Sequence, residues 1–195
     1  EKSVRPHLLA MSATPIPRSL YLTLYGDLDV SVLDEMPPGR QEIRTRLVPP
    51  ESREAAYEMV RREVKAGHQV FVVCPLIQES EVLQTRAATE EYEKLSKQVF
   101  PDLHVGLLHG KLPLRDKEQR MAEFQEGKMD VLVATPVIEV GIDIPNATVM
   151  LIDGAERFGL SQLHQLRGRV GRGKYLSHCL LLTDSPSEDA RRRLS

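Results

Sequence analysis

Short apolar runs constrain this chain more than any other feature. Residues 69–74, 105–108, 130–134, 149–152 and 179–182 are rich in Val, Ile and Leu, and none shows a regular polar face. A strand apolar on both sides has to be covered on both sides, which is the pattern of a parallel sheet between helices. A sixth run, 43–48, is β-branched and alternating, and Pro75 stops the run at 69–74. Residues 51–65 carry apolar residues at helical spacing, with Tyr57, Met59 and Val60 as core, and end before Gly67, a C-terminal cap. Residues 114–126 form a second amphipathic helix; 79–89 lack periodicity and are expected to be a loop, with a helix following over 90–99. Strands alternating with helices predict right-handed parallel crossovers, whose functional loops gather at the carboxyl ends of the strands. His109-Gly110, Thr135-Pro136 and the region after Ile152 fall at such ends.

The composition narrows the chemistry. With 195 residues, 41% hydrophobic and 28% charged, the chain fits one compact domain with an appended arm. A net charge of −2 excludes a polybasic binder, so any nucleic-acid contact has to sit in local patches. Arginines cluster at 167–172 and 191–193; the second cluster reads as a solvated helix face or a DNA contact. Aromatics are 5% with no Trp, so base-stacking platforms are not evident, and tracking along a phosphate backbone fits better. Cys74 and Cys179 sit inside apolar runs without metal-ligand spacing and read as buried thiols of a cytosolic protein, against a disulfide or metal site. No apolar run is long enough to span a bilayer and no signal peptide is visible, so a cytoplasmic setting without a membrane partner is expected.

The segment 165–173 carries the sharpest chemistry. Gln165, Arg169 and Arg172 stand in the register Q-x-x-G-R-x-G-R, with glycines that let the backbone approach a partner. Read as the start of a helix, the three-residue spacing points both arginines to one side. A planar, permanently charged guanidinium suits charge developing on a transferring phosphoryl group. The plainer alternative is a Gly-rich basic loop that binds phosphate or RNA non-specifically. No G-x-x-x-x-G-K-[ST] occurs, nor an Asp-Glu pair after a strand to hold Mg²⁺. The chain thus carries no phosphate cradle of its own and is expected to be inactive alone. Residues 1–40 differ in texture: Pro15, Pro17, Pro37, Pro38 and Gly39 make turn-rich breaks, and no element begins clearly at Glu1. This predicts the end of a preceding domain plus an irregular or helical connector over 1–40, a main domain over 41–195, and a fragment of something larger.

Ser12-Ala13-Thr14, His109-Gly110, residues 135–144 and residues 165–172 follow one another in the order of the superfamily 2 helicase motifs. Residues 12–18, 25–30, 37–40, 73–77 and 156–160 resemble the RecG family of bacterial DNA helicases more closely still. The resemblance covers essentially the whole chain. It implies a RecA-like (P-loop NTPase type) three-layer α/β domain with a central parallel sheet, the second motor domain of an ATP-dependent DNA helicase or double-stranded DNA translocase. Such proteins remodel stalled forks and Holliday junctions in recombination and repair. ATP and Mg²⁺ would be bound mainly by a first RecA-like domain of the same chain. Branched DNA, that first domain and a wedge domain would be the partners, in a bacterial, nucleoid-associated setting. The alternatives are a translocase of the transcription-repair coupling type, an RNA helicase with the same core, or a non-hydrolysing nucleic-acid-binding domain.

Carried over residue by residue, the resemblance makes Arg169 and Arg172 the fingers on the γ-phosphate and transition state, with Gln165 sensing the same group. Gly141 would allow close backbone approach. Asp143 would meet the ribose or orient a finger, or else be a turn residue ahead of Pro145. Glu139 would couple the two sites or be a solvated helix residue. Ser12, Thr14 and Arg18 in the connector, with His109, Gly110 and Thr135, would bind nucleic acid or couple it to domain closure; His109 also reads as a capping or hinge histidine. Two positions depart from the pattern. Pro136 stands where related sequences carry a second Thr that contacts the backbone phosphate, though it suits the first position of a helix capped by Thr135. Gly154 stands where Asn is common.

Overall fold

The computed structural model describes residues 41–75, 81–136 and 144–184, with residues 9, 11, 29 and 31–33; of residues 81–84 it describes the backbone alone. The chain divides into two compact units, Glu1–Met36 and Pro37–Ser195. Ser12, Thr14, Arg18, Glu139, Gly141, Asp143 and residues 191–193 lie outside the described residues, as does the helix expected after Pro136.

Six strands build the second unit: β1 (Ile43–Val48), β2 (Gln69–Val73), β3 (Val105–Leu108), β4 (Val131–Ala134), β5 (Ala147–Ile152) and β6 (Ser177–Leu182). All pair in parallel, in the order β1-β6-β5-β2-β4-β3. Among the described residues four helices connect them: α1 (Arg53–Lys65), α2 (Glu81–Lys94), α3 (Leu114–Gln125) and α4 (Leu160–Arg167). Every residue of β2, β4, β5 and β6 is buried, as the unbroken apolar runs require, while the edge strand β1 exposes Arg44, Thr45 and Arg46.

Two apolar clusters sandwich the sheet. On one face Phe71, Met150 and Leu181 pack with Met121 and Phe124 of α3 and Leu163 and Leu166 of α4. On the other, Val70, Val72, Leu151 and Leu180 pack with Tyr57 and Val60 of α1, Ala88 of α2, and Leu95 and Phe100. The division follows from handedness. The crossovers β1→β2 and β2→β3 run one way along the sheet, and their helices share a face. The crossovers β3→β4 and β5→β6 run the other way, and a right-handed connection then has to use the opposite face. This is the RecA-like three-layer arrangement expected.

Helix ends follow local chemistry. Gly67 (φ 87°) and Gly127 (φ 76°) take the left-handed conformation that closes α1 and α3, with His68 N donating to Glu63 O at 3.0 Å and Lys128 N to Glu123 O at 2.9 Å. Two expectations fail. The segment expected as a loop over 79–89 is helical from Glu81, so α2 begins nine residues before Glu90; a π-helical turn, Leu95–Val99, follows it. Residues 165–172 do not start a helix. Gln165 and Arg167 end α4, Gly168 caps it, and Arg169 to Arg172 form a turn beyond it. The same-face argument drawn from helical spacing therefore does not hold, and the arginines are placed by packing instead.

Candidate nucleotide and nucleic-acid sites

The two sets of candidate residues lie at opposite ends of the sheet. Because strands and helices alternate in direction, α4 starts beyond the carboxyl end of β5 and finishes at the amino end of β6. The turn 168–173 therefore sits at the amino ends of the strands. β5 has six residues, so roughly 20 Å of strand separates this turn from the carboxyl edge.

At the amino end, packing shapes the turn. Val170 is fully buried in the α3/α4 core cluster. Gly171 has φ 73°, and a Cβ there would stand 2.7 Å from Ile43 Cγ1 of β1. A Cβ on Gly173 would meet the Pro145 carbonyl oxygen at 2.4 Å. Both glycines thus let backbone pass closer to a neighbour than any side chain permits. Arg169 N donates to Leu166 O at 2.9 Å, and Arg172 Nε donates to Gly168 O at 3.3 Å. Arg169 is half-buried, whereas Arg172 and Gln165 are exposed. The Gly173–Pro145 contact also fixes this turn beside residue 145.

At the carboxyl end, β3 and β4 lie side by side with Leu108 opposite Ala134, and Thr135 N donates to Leu108 O at 3.1 Å. His109 and Thr135 are therefore neighbours. Thr135 is 3% exposed, and neither its Oγ1 nor His109 Nδ1 finds a hydrogen-bond partner among the described residues. Buried polar atoms are normally satisfied, so two orphans at adjacent strand ends are a place for a ligand. Leu112 N donates to His109 O at 3.2 Å, closing a tight turn, and Lys117 Nζ of α3 donates to Gly110 O at 2.5 Å. Burial, followed by the charges of Arg120, Lys117 and Lys111, holds the His109 imidazole below its ordinary pKa.

A third group was not anticipated from the sequence. Arg53, the first residue of α1, bridges Asp153 after β5 (3.3 Å) and Asp184 after β6. Burial opposes the charge on Arg53, but the two carboxylates outweigh it and raise the guanidinium pKa. Asp153 responds the other way: burial, with Glu91 beside it, raises its carboxyl above the usual range despite Arg53. Among the described groups acting on Asp153, the acids Glu91 and Asp184 meet the cations Arg53 and Lys94, so the three acids outnumber the two cations and the buried acid bears the cost. The available signal was position, since Asp153 and Asp184 each fall just past the carboxyl end of a strand. Next to this group, Gly154 adopts φ 56°. Gly enters this left-handed region without a Cβ penalty.

Residues 51–174 match the model for the helicase conserved C-terminal domain. Over 193 residues the chain is 56% identical to the ATP-dependent DNA helicase RecG of Synechocystis, covering 99% of this chain and 23% of that protein. It is 57% identical over 186 residues to the RecG of Thermotoga maritima (95% and 24%) and 48% identical over 193 residues to that of Bacillus subtilis (99% and 28%). The chain spans about a quarter of the length of these curated relatives. A solved structure of RecG bound to a three-way DNA junction superposes with a TM-score of 0.77 at 55% identity, covering 94% of this chain and 24% of that one. Domain 2 of the DEAD-box helicase Mss116p superposes at 0.59 with 18% identity (78% and 59%), a likeness of fold alone. The chain belongs to the helicase conserved C-terminal domain family, and the RecG helicases are the relatives it resembles over essentially its whole length.

Proposed function

We propose that this chain is the second motor domain of an ATP-dependent DNA helicase of the RecG type, a double-stranded DNA translocase that remodels stalled forks and Holliday junctions. The observation that carries the reading is the pair of built ends on one rigid sheet. A glycine-packed arginine turn lies at the amino side and two unpartnered polar atoms lie at the carboxyl side. Arg169 and Arg172 are assigned to the γ-phosphate and its transition state, with Gln165 sensing the same group. Asp143, Gly141 and Glu139 are assigned to the nucleotide side, and Ser12, Thr14 and Arg18 to coupling through the connector. His109, Gly110 and Thr135 are assigned to the DNA backbone. ATP with Mg²⁺, held mainly by a first RecA-like domain, supplies the phosphoryl group; this chain contributes fixed positive charge where charge develops. Branched DNA and the wedge and first motor domains are the proposed partners, in the bacterial cytoplasm.

The test is ATP hydrolysis by the full-length protein on forks, four-way junctions, plain duplex and RNA, with Arg169→Ala and Arg169→Lys in parallel. A finger arginine is worth about 10³–10⁵ in rate. Stimulation by branched DNA that both substitutions abolish supports the reading. Equal stimulation by plain duplex or RNA assigns the domain to another translocase, and unchanged turnover in Arg169→Ala removes Arg169 from the mechanism.

A further inference from the structure

Lys111, Lys117 and Arg120 surround the turn that follows β3, and they are not equivalent. Lys117 is committed to the Gly110 carbonyl, which locks α3 onto the turn. Arg120 is three residues further along α3, on the neighbouring part of the same face, and is half-exposed; Lys111 is exposed at the tip of the turn closed by Leu112 N and His109 O. Among the described residues neither Lys111 nor Arg120 makes a hydrogen bond or an ion pair. Both act electrostatically on His109, whose neighbour Thr135 is nine-tenths buried with its hydroxyl unpartnered. Arg86, Lys97 and Lys128 pair with carboxylates, whereas Arg44, Arg46 and Arg115 are exposed without an ion pair among the described residues; what sets Lys111 and Arg120 apart is their place beside the two orphaned atoms. A set of cations left unneutralised around two orphaned polar atoms is a site lacking its anion.

We propose that Lys111 and Arg120 are the cationic rim of the nucleic-acid site, each holding a backbone phosphate beside the Thr135–His109 pair. This rests on the reading of that pair given above and extends it to two residues of separate elements. Lys117 is a positioning residue, since its ammonium is spent on the loop carbonyl. Contacts of this kind read charge and spacing, not base sequence. Their loss is therefore expected to weaken binding to three-way junction and to plain duplex alike.

The experiment measures binding of the full-length protein to a labelled three-way DNA junction and to a labelled duplex over a salt series. Each lost phosphate contact makes the slope of log affinity against log salt shallower by about 0.9. Lys111→Ala and Arg120→Ala are each expected to lower the slope by about one contact and the pair by about two. Lys97→Ala with Lys128→Ala removes the same charge at a distance and is the control. Slopes unchanged in the Lys111 and Arg120 variants, or lowered equally by the control pair, overturn the rim. Lys111 is exposed in a turn, so its variant keeps the test decisive if Arg120→Ala fails to fold. Failure of the wild type to bind either DNA overturns the functional reading itself, a result distinct from wild-type binding with unaltered slopes.

Discussion

Gly171 offers the most direct test of how the arginine turn is built. Its replacement by Ala carries two separable costs. The backbone at φ 73° is a left-handed conformation, which costs a residue with a Cβ about 1–2 kcal/mol. The new methyl would also stand 2.7 Å from Ile43 Cγ1 and 3.1 Å from its Cδ1, and such overpacking costs about 1–3 kcal/mol. Together these give about 2–5 kcal/mol, a large fraction of the ~5–15 kcal/mol that holds a domain folded. Gly127 supplies the internal reference, because it has φ 76° but nothing within 4 Å of a built Cβ. Gly127→Ala should therefore show the backbone cost alone. The assay is urea unfolding of the two variants beside wild type, repeated in an Ile43→Ala background. There the loss from Gly171→Ala should shrink by the packing share, about 1–3 kcal/mol, while that from Gly127→Ala stays constant. If Gly171→Ala costs no more than Gly127→Ala, or if Ile43→Ala leaves its cost unchanged, the turn is not braced against β1 and the account of how Arg169 and Arg172 are placed is wrong.

Two further outcomes are expected from the buried ionisable groups. Burial pushes the Cys179 thiol up to about 12 and Cys74 higher still. At pH 8 only about one Cys179 in 10⁴ is thiolate, so iodoacetamide should modify neither cysteine in the native chain and both in urea; rapid native labelling refutes their placement. The Asp153 carboxyl is held above its ordinary 3.8, so the folded chain binds this proton more tightly than the unfolded chain. That stabilisation is complete below the unfolded pKa and is lost as pH rises through the folded one. The unfolding free energy of wild type relative to Asp153→Asn should accordingly fall as pH rises from about 4 and then level. A difference that grows with pH would mean that the Arg53 pair outweighs burial.

The sheet was legible because its signal is local. Strands buried on both faces have to be apolar throughout, and the runs at 69–74, 130–134 and 179–182 could hardly be anything else. Helix α2 was hidden for the opposite reason. Its described part buries Ala88, a small residue, as its one fully covered apolar side chain. Ion pairs between Arg86 and Glu90 and between Lys94 and Glu91 line its surface, and these leave no apolar period to read. The arginine turn was misread as a helix start although its glycines are stop signals: Gly168 caps α4 and Gly171 takes the left-handed conformation. Of the candidate site residues, His109, Gly110 and Thr135 were found because the sheet topology sets them at strand ends. The Arg53 bridge joins residues 100 and 131 positions apart, and no local pattern encodes that contact.

The two ends of the sheet differ in a way that bears on mechanism. At the amino end the structure is finished: Val170 fills the core, Gly171 lies against Ile43, Gly173 lies against Pro145, and Arg172 bonds back to Gly168. Charge aimed at a phosphoryl group is most effective when it needs no rearrangement at the moment of reaction, and a turn braced on three sides meets that requirement. At the carboxyl end the described residues leave the Thr135 hydroxyl, His109 Nδ1, Lys111 and Arg120 without partners. A site that has to release its ligand after every step gains nothing from permanent satisfaction by its own side chains. On the proposed reading, tight packing where chemistry is timed and open valences where a strand passes are the two requirements of a translocating motor. One rigid parallel sheet meets both by keeping them a strand length apart.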